Sequence, residues 1–201
     1  RNDDAVFMIS ELAKLFRISL SKGRTVISVK DELQHAKSYM NIQKVRYKNA
    51  FTVTFDTEPE IYSYCTVKLV LQPILENAIN YGIDPMDDCG EIVVEGKMRD
   101  GNIILSVKDN GVGMSGEEVS LLLTDSNRVK KHGSGVGLIN VNNRIRIFFG
   151  EEYGLVVESE PDEGTKVSIV IPAVPCTEEN SRVLEKGHLF GGEMQKNNEE
   201  Q

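Results

Sequence analysis

Two pairs of segments in this chain alternate apolar and polar residues with a period of two. Glu91–Met98 (EIVVEGKM) and Asn102–Asp109 (NIILSVKD) flank Arg99-Asp100-Gly101, and Tyr153–Glu160 (YGLVVESE) and Gly164–Ile171 (GTKVSIVI) meet around Pro161-Asp162-Glu163-Gly164. Alternation around an Asp-Gly or Pro/Gly turn is the hairpin signature, so at least part of one sheet must be antiparallel. Phe51–Thr57 (FTVTFDT) adds a fifth alternating run, ended by Glu58-Pro59. Such strands expose one apolar face, which must be covered. Thr66–Tyr81 supplies helical spacing through Val67, Val70, Leu71, Ile74, Leu75, Ala78 and Ile79. Pro73 lies inside that run, so the helix either starts near it or bends there. Val136–Phe149 reads as a helix ending at Gly150, and residues 115–123 as a short helix. Regular βαβ alternation is missing. The expected class is therefore α+β, a two-layer α/β sandwich with a mixed sheet, helices on one face and two further helices in front.

Those two helices occupy Asp3–Leu20, with Val6, Ile9, Ala13, Phe16 and Leu20 as a stripe, and Val29–Tyr47, with Val29, Leu33, Ala36, Met40 and Tyr47. Ser21–Ser28 reads as the loop between them. Both stripes are too apolar to stand alone, so the helices should pack on each other or in a homodimer. Three regions are expected: 1–49 helical, 50–175 a mixed domain, and 176–201 a polar, disordered tail. Thr124–Gly135 is basic and glycine-bearing and reads as a mobile loop.

The net charge of -8 and pI near 5 argue against nucleic-acid partners and anionic membranes. Any phosphate site must be local, built from backbone amides and a few cations. Cys65, Cys89 and Cys176 are odd in number and lack metal-ligand spacing, which suits reduced thiols in a cytoplasm. No apolar run approaches the ~20 residues that span a bilayer. The chain starts at Arg1 and is expected to be a fragment, which leaves membrane attachment of its parent open.

No GxxxxGK[ST] loop, HExxH or CxxC occurs. Three other segments carry chemical promise. In Leu71–Gly82 (LQPILENAINYG), Asn77 stands in an apolar helix, where its amide must find partners; it is either a hydrogen-bonded structural residue or an oxygen ligand for Mg²⁺. Asp109-Asn110-Gly111-Val112-Gly113-Met114 follows a strand. Its glycines let backbone approach a ligand, and its carboxylate can accept from an exocyclic amine; as a plain alternative it is a turn. Gly133-Ser134-Gly135-Val136-Gly137-Leu138 leads into a helix, offering free amides and a positive dipole end to phosphates, with Arg128, Lys130 and Lys131 beside it.

In order and spacing these three segments resemble the Bergerat nucleotide fold of gyrase-type, chaperone-type, mismatch-repair and histidine-kinase ATP-binding domains. LQPILENAINYG resembles the N box of sensor histidine kinases, DNGVGM their G1 box, GSGVGLINVNNRI their G2 box, and EGTKVSIVIP their closing glycine-threonine strand. LAKLFRISLSKG and ISVKDELQHAKSYMNIQKVRY resemble the stretch after the phosphoacceptor helix in the LytS/YesM-like class, so the likeness runs from about Leu12 to Pro172. The resemblance implies ATP and Mg²⁺ as ligands, with Asn77 on the metal. Asp109 would read the adenine amine, with Gly111 and Gly113 shaping the base pocket and Thr165 behind it. Asn80 and Tyr81 would flank the nucleotide. Lys130, Lys131, Gly133, Ser134, Gly135, Val136, Gly137 and Leu138 would line the phosphates. Glu76 is carried over as a catalytic candidate that orients a water or Asn77, or else merely caps a surface.

ATPase branches of this fold usually place a catalytic Glu one turn before the metal-binding Asn, where this chain has Pro73. That departure favours phosphotransfer to a protein side chain over hydrolysis. No Asn-Pro-His-Phe type acceptor segment is present; His35, His132 and His188 all lack the motif. The expectation is a protein-histidine kinase domain whose acceptor lies elsewhere, which binds ATP without autophosphorylating. Its partners would be a second copy and a response-regulator receiver domain, and its setting the cytoplasmic portion of an integral membrane sensor, with membrane contact only through upstream segments. The alternatives are a degenerate nucleotide-binding scaffold and a serine-kinase anti-sigma factor of the same fold.

Overall fold

The computed structural model describes residues 2–20, 23–83, 90–122 and 136–187. Five strands form one mixed sheet in the order β2-β4-β5-β7-β6: β2 (Phe51–Thr57), β4 (Gly90–Arg99), β5 (Asn102–Asp109), β6 (Gly154–Glu160) and β7 (Gly164–Pro172). β2 runs parallel to β4, and every other neighbouring pair is antiparallel. Both hairpins therefore form as expected. The first closes at Asp100 (φ 49°) and Gly101 (φ 75°), the two successive left-handed residues that a tight hairpin turn demands.

The period of two separates the faces. Phe51, Ile92, Val94, Ile103, Leu105, Val107, Val167, Ile169 and Ile171 point inward and are buried. Glu95, Lys97, Lys108 and Lys166 lie on the other face, where Glu95 bonds Lys97 at 2.7 Å and approaches Lys166 at 3.9 Å. The inward face is covered by α3 (Leu71–Asn77) and α5 (Val136–Phe149), with α4 (Gly116–Leu122) at its edge. Leu71, Ile74, Leu75, Leu138, Val141, Ile145 and Phe149 fill the space between.

The N-terminal helices also form: α1 (Asn2–Leu20) and α2 (Val29–Arg46), the latter capped by Ser28 Oγ accepting from Asp31 N at 3.1 Å. Val29, Leu33, Ala36 and Met40 on α2 are buried in the core. On α1, however, Ile18 and Glu11 face α2, with Glu11 accepting from Asn41 at 3.1 Å, while Val6, Ile9, Phe16 and Leu20 stay exposed. The stripe read from the sequence is the outward one.

Three local readings are corrected. Val26–Ser28, taken as loop, is a strand (β1) that pairs antiparallel with β3 (Cys65–Val67). Three residues are too few to show a period. Thr66–Val70 is not helical: β3 is extended and Leu69 sits at φ 58°, so the helix starts at Leu71, beside Pro73. The helical spacing there came from β-branched residues that serve a strand equally well. Ala78–Ile83 then continues as a wider π-helical turn. Within the expected disordered tail, Glu178–Glu185 forms α6, capped by Thr177, and Glu185 accepts from Thr25 N and Val26 N at the β1 edge. No helix among the described residues is long and apolar enough to cross a membrane.

Leu105 lies at the centre of the sheet, fully buried. Leu105→Ala should cost about 2–5 kcal/mol of unfolding free energy, read as a fall in urea midpoint with unchanged slope.

Candidate functional site

The site forms where β5 ends. Asp109, the last residue of that central strand, is 4% exposed, and its Oδ1 accepts from Gly111 N at 2.9 Å and Thr165 N at 3.2 Å. Burial pushes the Asp109 carboxyl up from its ordinary range, against the two amide bonds that pull it down. Both of these bonds fall on Oδ1, so Oδ2 of this enclosed carboxyl is held in a fixed direction by its bonded twin. That is the arrangement needed to recognise an amine on an otherwise apolar ligand.

The glycines of this region explain themselves by contact. A Cβ on Gly82 would lie 2.7 Å from Asp109 Oδ1, and a Cβ on Gly111 would run into the backbone of Gly82. The π-helical turn and the loop after β5 thus touch backbone to backbone. Gly113 is left-handed (φ 65°), and a Cβ there would collide with the Glu160 carbonyl. The same loop is pinned to the β6–β7 turn by Asp162 N donating to Val112 O at 2.8 Å. Ser159 completes the clasp: its hydroxyl accepts from Met114 N at 2.8 Å, meets Thr165 Oγ1 at 2.9 Å and lies 2.9 Å from Gly164 O.

The structure therefore brings together Asp109, Gly111, Gly113 and Thr165, and adds Gly82 and Ser159, which sequence reasoning did not assign. Gly82 was visible as the end of the Asn77 segment. Ser159 carried no signal, because its role depends on the turn of a different hairpin.

Asn77 closes α3, half-buried, with no side-chain hydrogen bond among the described residues. Pro73 lies one turn before it, and a Cβ on Gly137 would come within 3.4 Å of Pro73 Cβ. The start of α5 (Val136, Gly137 and Leu138, the last buried) thus rests on the helix that ends in Asn77. Asn80 and Tyr81 are exposed on the π-helical turn. Glu76 points toward α2: its carboxylate accepts from Gln72 Nε2 at 2.8 Å and neighbours the Tyr39 hydroxyl, whose pKa is pushed up by burial and then by Glu76. Lys130, Lys131, Gly133, Ser134 and Gly135, with His132 and His188, lie outside the described residues. No group of three or more His, Cys, Asp or Glu side chains that could hold a metal occurs among the described residues. The Asn77 amide offers one oxygen of the kind Mg²⁺ takes alongside ligand and water oxygens.

Gly113→Ala introduces both a left-handed strain and a clash with Glu160, so thermal stability should fall by several degrees. Gly116, with nothing within 4 Å of its would-be Cβ, should tolerate Ala with no loss; calorimetric melting of the two variants side by side checks the contrast.

A model of the family described as histidine kinase-, DNA gyrase B-, and HSP90-like ATPase matches residues 66–175, and one described as histidine kinase matches residues 1–51. The chain is 34% identical over 165 residues to the sensor histidine kinase YesM of Bacillus subtilis, covering 82% of this chain and 27% of that protein. It is 32% identical over 166 residues to the sensor protein LytS of Bacillus anthracis, covering 82% and 28%. It thus spans a little over a quarter of the length of these relatives. Among solved structures, the histidine kinase domain of the blue-light activated kinase from Erythrobacter litoralis EL346 superposes with a TM-score of 0.53 at 14% identity, over 90% of this chain and 77% of that one. That likeness shows the shared fold. Motifs, fold and family match agree: the chain belongs to the histidine kinase-, DNA gyrase B- and HSP90-like ATPase family, on its sensor histidine kinase branch.

Proposed function

We propose that this chain is the ATP-binding part of a two-component sensor kinase, which transfers the γ-phosphoryl group of ATP to a histidine outside these 201 residues and thence to a response-regulator receiver domain. The observation that carries the reading is the buried Asp109 carboxylate at the end of β5, oriented by two amides, walled by glycine backbone and touched by the π-helical turn that follows Asn77. In this reading Asp109 Oδ2 accepts the adenine amine. Gly111 and Gly113 let the base lie against backbone, and Thr165 backs it. Asn77 Oδ1 would hold Mg²⁺, an ion that would supply neutralisation of phosphate charge when bound. The amides at the start of α5, with Lys130 and Lys131, hold the phosphates. Glu76 orients Asn77 or a water from its position beside Gln72.

Phosphotransfer is favoured over hydrolysis because Pro73, one turn before Asn77, offers no carboxylate to activate water. His35 makes a poor acceptor: it is buried, lies 3.1 Å from Ser19 Oγ through Nε2, and its pKa is pushed down by burial. We assign residues 1–49 to a dimerisation region, with Val6, Ile9, Phe16 and Leu20 as the exposed seam for a second copy, and residues 50–175 to the nucleotide domain. The native setting is then the cytoplasmic side of a membrane sensor.

Calorimetric titration of ATP with and without Mg²⁺ tests the site. Mg²⁺ should tighten wild-type binding at least tenfold, and Asn77→Ala and Asp109→Asn should each weaken the Mg²⁺-supported binding at least tenfold; no binding by the wild type would favour a degenerate scaffold. Incubated alone with γ-labelled ATP, the chain should gain no acid-labile phosphate, and labelling would place the acceptor among its own histidines.

A further inference from the structure

Residues 68–71, between β3 and α3, are held by four different elements. Lys68 N donates to Thr25 O at 2.9 Å, just before β1, and Lys68 Nζ donates to Ser19 O on α1 at 3.2 Å. Its carbonyl accepts from Arg144 Nη2 on α5 at 2.8 Å. The rest of the junction is organised by one side chain of α2. Glu32 Oε2 accepts from Leu69 N at 2.8 Å, and Oε1 from Val70 N and Leu71 N at 2.8 and 2.9 Å. Glu32 is fully buried, and Arg144 is the cation that faces it.

This is an unusual way to start a helix. Free N–H groups at a helix N-terminus are normally met by a local Ser, Thr, Asp or Asn. Here the N-cap position is Val70, which has no side-chain acceptor, and Leu69 is forced to φ 58° so that its amide also turns toward Glu32. The acceptor for all three amides comes from another helix. A buried carboxylate is a poor device for stability alone, since its desolvation offsets much of what its bonds contribute. It is, however, strongly directional: three amides converge on two oxygens, and a small shift or rotation of α2 cannot preserve all three bonds. Strained backbone of this kind persists where surrounding structure over-determines it, often beside a working site. Asn77 lies only six positions after Leu71, about 9 Å along one helix.

We propose that Glu32 is the positioning residue that fastens α2 to the helix carrying Asn77, so that displacement of α2 reaches the nucleotide site as a displacement of Asn77. The proposal rests on the reading of Asn77 as the metal ligand. Arg144 extends the same clamp to α5, whose first turn belongs to the proposed phosphate site. Glu32 thereby joins the helical region to both of the motif-bearing helices through bonds rather than through apolar contact alone.

The test compares Glu32→Ala and Glu32→Gln in the full chain by residue-resolved amide hydrogen exchange without nucleotide, and by ATP titration with and without Mg²⁺. In Glu32→Ala, exchange should rise at least tenfold from Leu69 through Asn77 while the β6–β7 hairpin keeps its wild-type rates. Mg²⁺-dependent ATP affinity should fall at least tenfold, with metal-free ATP affinity, set by Asp109, within twofold. Glu32→Gln keeps one acceptor oxygen, so it should restore part of both effects. Faster exchange confined to residues 69–71 with an unchanged Mg²⁺ response would overturn the proposal. So would uniform acceleration across the whole sheet in both variants, which would make Glu32 a stability element only. If the wild type binds no ATP, the functional reading fails, and the spread of exchange to Asn77 still decides whether Glu32 positions it.

Discussion

Three carboxylates are buried among the described residues, and while Glu11 pairs with Lys14 at 2.7 Å, the other two have no direct salt bridge. Asp109 and Glu32 are each held by backbone amides: Gly111 and Thr165 for one, Leu69, Val70 and Leu71 for the other. Removing a carboxylate from water carries a large cost, and oriented N–H groups offset it only when the surrounding backbone is fixed in place. The two demands therefore dictate much of the local geometry. The loop after β5 must fold back on Asp109, the β6–β7 turn must present Thr165 to it, and the entry to α3 must turn toward Glu32.

The one-sided sheet makes these demands achievable. Its apolar face is sealed by α3 and α5, which lie against Ile92, Ile103, Leu105, Val107 and Ile169. The central strand β5, paired on both sides, ends at Asp109 and gives the site a rigid floor. The backbone-to-backbone contact of Gly82 with Gly111 then leaves no slack between the π-helical turn and the loop. Position is set by packing and direction by hydrogen bonds, so the site is preformed on the β5 side. On the other side, α3 and its terminal Asn77 depend on α2, which packs Leu33, Ala36 and Met40 into the same core.

In a signalling protein built this way, the two halves of the site respond differently to movement. On the proposed roles, Asp109 would read the base from a sheet, where helix displacement does not reach it. Asn77 would hold the metal from a seven-residue helix capped by a neighbouring helix, where displacement does reach it. Placing the two proposed functions on elements of different rigidity would let the domain retain nucleotide while its competence for phosphotransfer varies.

Much of this was legible in the chain itself. Period-two runs around Asp100-Gly101 and Pro161–Gly164 determined both hairpins, and the Asn77, Asp109 and Gly133–Leu138 segments, in their order, identified the nucleotide fold. These signals are local: each depends on residues close together in sequence, whose turn and side-chain preferences act before any tertiary contact exists. Tertiary structure alone decided the rest. The extended path of Cys65–Val67 is fixed by pairing with Val26–Ser28, about forty residues upstream. α6 is docked by its bonds to the β1 edge. Ser159 gains its role from the β6–β7 turn, and Glu32 its three amides from a segment it could not select by local preference. Long-range hydrogen bonds leave no periodicity in sequence, because their geometry exists only once the sheet and its covering helices have closed around them.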